Sequence, residues 1–174
     1  MKDYLSLIDT ETQGNRCDVT PLFGDHAAFN ALVDDLVALV QSEPIDIVAC
    51  IDALGFILGT AIAQRLEVGI LPVRKGGKLP VSKDVVVFED YSRQEKRLEI
   101  RQDMLSEGMH VLIVDEWIET GTQVSAAIEL TEAREAIVSG VAAINIDVNE
   151  KTKRLMSQCK VFTVWQDMER PHDR

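Results

Sequence analysis

Residues 111–123, VLIVDEWIETGTQ, limit what this chain can fold into more than any other stretch. With His110 in front, the apolar run has strand length, and a continuous apolar strand is one buried on both faces of a parallel sheet. It ends in two adjacent acids, Asp115 and Glu116. A Thr/Gly turn follows at once, and a helix follows the turn. An apolar strand that delivers acids to a polar turn is the layout of a ligand site at the carboxyl end of a parallel strand.

The rest of the chain agrees with a layered α/β domain. Asp25 can cap a helix through about Ser42, where Phe29, Leu32, Val33, Leu36, Val37 and Val40 recur at helical spacing. Strands are expected at 45–51, 68–73, 85–88, 97–101, 110–115, 141–148 and 160–165. The pair 85–88 and 97–101 reads as a protruding hairpin or flap. Helices are expected at 56–67, at 122–138 with Gly140 as the stop, and near 150–158. Strands alternating with helices through short loops imply an α/β fold with a mostly parallel sheet flanked by helices. No repeat or long linker divides residues 1–174, so a single domain is expected.

Composition narrows the function. The chain of 174 residues carries a formal net charge of −11, which argues against a general nucleic-acid binder. No apolar run reaches the length of a membrane span, and the start lacks the pattern of a secretory leader, so a cytoplasmic protein is expected. Cys17, Cys50 and Cys159 are too scattered for a disulfide framework or a zinc site. His26, His110 and His172 are isolated and carry no assigned chemistry. The cations cluster, however: Arg74, Lys75 and Lys78 form one group, and Arg93, Lys96, Arg97 and Arg101 a second. Such local groups suit a small polyanion.

The chemistry of the motif follows from its parts. A helix N-terminus behind a tight turn presents free N–H groups and the positive end of the helix dipole. Thr120 and Thr122 add hydroxyls, and Gly121 lets the backbone approach closely. That is a monophosphate cradle. It is not a P-loop, because no G-x-x-x-x-G-K-[ST] occurs. The two carboxylates suit sugar hydroxyls or Mg²⁺. Phosphate on the turn and ribose on the acids describe a phosphoribosyl group lying over the strand end.

At these residues the chain resembles the type I phosphoribosyltransferases, whose phosphoribosyl-diphosphate motif is an apolar strand, two acids and an A-T-G-G-T-like turn. DVTPLFGD, IDALGFILGTAIAQRLEVGILPVRKGGKLP and RLEI match the adenine phosphoribosyltransferase branch in order and spacing, over roughly residues 14 to 165. The resemblance implies transfer of ribose 5-phosphate from phosphoribosyl diphosphate to adenine or a related base in purine salvage. Mg²⁺ is the implied helper and a homodimer the implied assembly. It implies a small N-terminal hood and a flexible loop at 89–97, with Glu89 or Asp90, and Tyr91, closing over the sugar. Asp115 and Glu116 would take the ribose hydroxyls, and Glu119, Thr120, Gly121, Thr122 and Gln123 the 5′-phosphate. Asp52, Ala53, Leu54 and Gly55 would form the pyrophosphate turn, with Arg74, Lys75 and Lys78 as its cations. Cys17, Asp18 and Val19 would border the base.

Four features depart from the family pattern, one being that Tyr91 lies two residues further from Leu98 than the pattern expects, which leaves the register of Glu89 and Asp90 open. Leu54 stands where the pyrophosphate turn usually carries arginine. Cys17-Asp18-Val19 stands for Arg-Asp-Ile. Glu119 stands where a small residue is usual, with Thr122-Gln123 for Gly-Thr. These losses of positive charge leave a second expectation open, a catalytically weak protein of this fold that binds phosphoribosyl diphosphate or a nucleotide in a regulatory role. Trp117, directly after the acids, is expected to be a packing residue.

Overall fold

The computed structural model describes residues 2–12, 17–89 and 94–165. The chain passes through α1 (Thr20–Gly24), α2 (His26–Val40), β1 (Ile47–Ile51), α3 (Leu54–Leu66), β2 (Gly69–Lys75), β3 (Lys83–Glu89) and β4 (Glu95–Arg101). It continues through β5 (His110–Val114), β6 (Trp117–Ile118), α4 (Thr122–Glu132), β7 (Ile137–Ala143), β8 (Asn145–Ile146), α5 (Glu150–Gln158) and β9 (Val161–Thr163). Seven strands form one sheet in the order β3-β4-β2-β1-β5-β7-β9, and β6 pairs with β8 in a small second sheet. The strands from β2 to β9 are parallel, while β4 joins β2 and β3 antiparallel. The α/β expectation therefore holds, with an antiparallel hairpin added at one edge.

The apolar strands alternate between two cores, as period-two side chains must. Val48, Cys50, Leu112, Val114 and Ala142 face Leu32 and Leu36 of α2 and Leu58 and Ile62 of α3. Ile47, Ala49, Ile51, Val111, Ile113, Val141 and Ala143 lie in a second cluster with Val124, Ala127 and Leu130 of α4. Burial on both faces explains why these strands read as unbroken apolar runs. At the N-terminus, a 3-10 helix (Asp3–Leu7) packs on α2: the Tyr4 hydroxyl donates to Asp35 at 2.6 Å, and Lys2 pairs with the same carboxylate at 2.7 Å. Asp25 caps α2 as expected, its carboxylate accepting from the Ala28 N–H at 2.9 Å.

Two helix boundaries differ from expectation. The helix after the Thr/Gly turn was expected to run to residue 138 and stop at Gly140, but α4 ends at Glu132. Glu135 takes a left-handed conformation (φ 56°), and Ile137–Ala143 is β7, paired parallel with β5. Gly140 is therefore inside a strand. A Cβ there would lie 2.6 Å from the Phe162 ring, so the glycine answers a close approach between neighbouring strands. The helix after β1 starts earlier than expected: α3 begins at Leu54, within the expected turn.

Candidate active site

The sheet places the motif at its centre. From β1 the chain reaches β2 through α3, while β5 lies on the other side of β1 and leads through α4 to β7. Strand order reverses between β1 and β5, and crevices outside the carboxyl ends of such strands hold ligands. The two ends touch. A Cβ on Gly55, in the first turn of α3, would lie 2.8 Å from the Val114 carbonyl and 3.4 Å from the Asp115 carboxylate. Only glycine permits that approach.

Asp115 is buried, at 6% exposure. Its carboxylate accepts the Glu116 N–H at 2.9 Å, while its own N–H donates to the Ala142 carbonyl at 3.2 Å. The turn that follows has Gly121 at φ 72° as the residue preceding α4. A Cβ there would also lie 3.1 Å from Leu155. The Thr120 and Thr122 hydroxyls are 2.9 Å apart, and the Asn149 amide donates to the Glu119 carbonyl at 2.7 Å. Asn149 in turn caps α5 through a capping box with Thr152, so α5 braces the turn. An anion here would meet the first N–H groups of α4, two hydroxyls and the helix dipole.

These residues open into a cavity of about 800 Å³. Its wall includes Asp115, Trp117 and the whole turn Glu119, Thr120, Gly121, Thr122 and Gln123. Lys75, Gly76 and Gly77 from the end of β2 and Phe88, Lys96 and Arg97 from the hairpin also line it. Among the described residues, Asp52, Ala53, Leu54, Gly55, Arg74, Lys78, Glu89 and Glu116 do not line this cavity, nor do Cys17, Asp18 and Val19. Arg74 is 3.4 Å from the Asp52 carboxylate, with its guanidinium 5.8 Å from the centre of the Phe56 ring. Leu54 is half-buried against the α2/α3 apolar cluster, to which Val19 and Trp117 belong and against which Cys17 packs. Asp18 is exposed, and the Thr20 hydroxyl and N–H hold its carboxyl below the usual range. Asp90 and Tyr91 lie outside the described residues.

A family model described as the phosphoribosyl transferase domain matches residues 23–171. The chain belongs to that family. Among curated relatives, the adenine phosphoribosyltransferase of Bordetella avium is 43% identical over 129 residues, which cover 73% of this chain and 69% of that protein. The adenine phosphoribosyltransferase of Leuconostoc citreum is 38% identical over 144 residues, covering 82% and 81%. The crystal structure of adenine phosphoribosyltransferase from Thermoanaerobacter pseudethanolicus matches with a TM-score of 0.86 and 28% identity, covering 94% of this chain and 97% of that one. The Giardia lamblia enzyme complexed with 9-deazaadenine matches with a TM-score of 0.84 and 28% identity, covering 95% and 97%. The chain is thus a type I phosphoribosyltransferase, an enzyme of the pentosyltransferase class.

Reading the phosphoribosyltransferase site from sequence missed three residues that shape it. Asn149 could have been found, since Asn-x-x-Thr before a helix is a capping signal. Asp147 gave no signal; its carboxylate accepts the Trp117 indole N–H at 3.0 Å. That bond and the edge-on contact of Trp117 with Trp165, at 5.5 Å, fix the ring as a packing element that also borders the cavity. Glu99 gave no signal either. It is a buried carboxylate on β4, 2% exposed, that accepts from three backbone N–H groups of the loop after β2 and lies beside the Lys83 ammonium.

Proposed function

We propose that this phosphoribosyltransferase makes AMP from adenine and phosphoribosyl diphosphate, releasing pyrophosphate, as an enzyme of purine salvage. The observation that carries the reading is the single cavity joining Asp115, the 119–123 turn and Lys75. The adenine phosphoribosyltransferases among its relatives name the base. In this reading the turn takes the 5′-phosphate, and Asp115 with Glu116 accepts hydrogen bonds from the ribose hydroxyls. Lys75, with Arg74 and Lys78 nearby in sequence, faces the diphosphate. Gly55 and its neighbours 52–54 border the leaving group, and 17–19 the base. Glu89, at the end of β3, is assigned with Asp90 and Tyr91 to the sugar by the resemblance; the latter two lie outside the described residues.

A ring nitrogen of adenine bonds to C1′ while the bond from C1′ to the diphosphate oxygen breaks, and pyrophosphate leaves with the electron pair. The base gives up its ring N–H proton, to the departing pyrophosphate or to solvent. Positive charge grows on the ribose as the leaving group departs, and a buried carboxylate beside it stabilises that charge more in the transition state than in the ground state. Water must be excluded, because it would hydrolyse the activated sugar.

Mg²⁺ fits this donor set as a substrate-borne ion. Among the described residues no cluster of three or more His, Cys, Asp or Glu could hold a metal. Mg²⁺ usually keeps waters and substrate phosphates with one or two carboxylates, which Asp115 and Glu116 can supply. Bound with the diphosphate, it would neutralise charge on the leaving group. By the same resemblance we place the enzyme in the cytoplasm as a homodimer, the latter open to light scattering.

The experiment is a panel of purine and pyrimidine bases with phosphoribosyl diphosphate and Mg²⁺, read by chromatography of the nucleotides. Adenine is expected to react fastest. Product from another base but not adenine overturns the base assignment, and tight substrate binding without any product favours the regulatory reading. Leu54→Arg probes the pyrophosphate turn. A charge-assisted hydrogen bond is worth about 1.5–3 kcal/mol, so pyrophosphate and phosphoribosyl diphosphate should bind about 10- to 100-fold more tightly, with AMP unchanged. Leu54 leaves an apolar cluster in this variant, so some loss of melting temperature should accompany the gain. A melting loss without any gain in affinity removes residues 52–55 from the diphosphate site.

A further inference from the structure

Glu99 lies at the middle of the three edge strands, in register with Arg74 of β2 and Val85 of β3. A carboxylate at 2% exposure is costly unless its oxygens are satisfied. Here they are met by donors from one short loop. The N–H groups of Lys78 and Leu79 donate to Oε1 at 2.6 and 2.5 Å, and that of Gly77 donates to Oε2 at 3.1 Å. The Lys83 ammonium lies 3.3 Å from Oε2 and donates to the Leu79 carbonyl at 2.7 Å. The Gly76 N–H is also used, donating to the Arg97 carbonyl at 3.0 Å.

Successive N–H groups converging on one point form a concave anion site. In this loop the anion is the protein's own side chain. The loop's amides are therefore unavailable to a substrate, but its backbone is pinned to β4 at every residue from Gly76 to Leu79. Lys75, Gly76 and Gly77 of this pinned segment line the active-site cavity.

We propose that Glu99 is a positioning residue for substrate binding: it holds segment 75–79 in one shape so that Lys75, which lines the cavity, meets the diphosphate of phosphoribosyl diphosphate. This rests on the transferase reading above. Burial pushes the Glu99 carboxyl up, but the N–H groups of Leu79, Gly77 and Lys78 and the Lys83 ammonium outweigh it and hold the group below the usual glutamate value. The anchor is thus charged at neutral pH. Its partners are all on the loop and on β3, so losing the charge frees the loop before it disturbs β1 or β5.

The test is Glu99→Gln, which keeps the size and turns one acceptor into a donor facing N–H groups. Amide exchange at 77–79 should quicken by about 10-fold or more relative to β1 and β5, since local opening is independent of the core. KM for phosphoribosyl diphosphate and Kd for pyrophosphate should both rise by roughly 10-fold, with KM for adenine and Kd for AMP within about 2-fold. If Glu99→Gln does not fold, Lys83→Met removes one of the four donors and should shift the same constants in the same direction by less. Unchanged exchange at 77–79 overturns the anchor. Faster exchange with unchanged pyrophosphate affinity overturns the positioning role, as does a lower active fraction with every constant unchanged. A wild-type enzyme that makes no nucleotide from any base retires the transferase reading and the positioning role together, and the product assay identifies that case.

Discussion

The turn at 119–123 and the loop at 76–79 border the same cavity, and both bring backbone N–H groups together. They differ in what those groups meet. In the loop, Gly76 donates to Arg97, and Gly77, Lys78 and Leu79 donate to Glu99. In the turn, no protein atom among the described residues accepts from the N–H groups of Gly121, Gln123 and Val124, as expected where a helix starts. The comparison separates two ways of receiving an anion. An open set of amides can receive a ligand directly, whereas a filled set can only present side chains.

The largest expected effect comes from the acids beside the open turn. Asp115→Asn with Glu116→Gln should lower kcat by roughly 100-fold or more, because the lost charge matters mainly when the ribose becomes cationic. Melting temperature should change little, since amides of equal size can keep the backbone bond. Unchanged turnover would take the open turn and its acids out of the catalytic site.

A pair of glycine variants addresses the contrast directly. Gly121 and Gly77 both have positive φ, 72° and 81°, so alanine at either should cost about 1–2 kcal/mol of stability. Around Gly77 nothing lies within 4 Å of the added methyl, whereas at Gly121 it would meet Leu155 at 3.1 Å and displace the turn. Calorimetry should show weaker AMP and phosphate binding for Gly121→Ala alone. Equal losses in the two variants would erase the distinction between open and filled amides.

The smallest effect is a pH dependence confined to the filled loop. Glu99 has a folded pKa below its ordinary value. Its contribution is therefore fully present above about pH 4.3, the ordinary glutamate value, and is lost as pH falls through the lowered folded value. The stability difference between wild type and Glu99→Gln, measured by denaturant titration, should be flat near neutrality and fade in that acid range. A difference that grows on acidification would contradict the charged anchor.

Much of the site was legible because its signals are local. An apolar run, two acids, a Thr/Gly turn and a helix occupy consecutive residues, and the structure keeps them consecutive along β5, the turn and α4. The expected end of α4 went wrong where local signals competed. Ala133 continues a helical pattern, but Glu135 turns left-handed and Ile137 joins a strand, a pairing that depends on β5. At Leu54 the fold adds a contact that sequence did not announce: it is the first residue of α3, half-buried on an apolar cluster.

What the sequence by itself determined is the set of elements whose reasons lie within a few residues: the alternating strands and helices, the Asp25 cap, the Thr/Gly turn and its acids. Short-range hydrogen bonds and side-chain periodicity decide these, and both are written in neighbouring positions. The tertiary structure alone decided which cations line the cavity, why Gly140 is a glycine, and which residue fills the 76–79 amides. Each of those depends on a partner about 20 residues away or on a neighbouring strand: Glu99 for Gly77 to Leu79, and the Phe162 ring for Gly140. A buried carboxylate takes whatever donors the folded sheet brings to it, and no spacing along the chain announces them in advance.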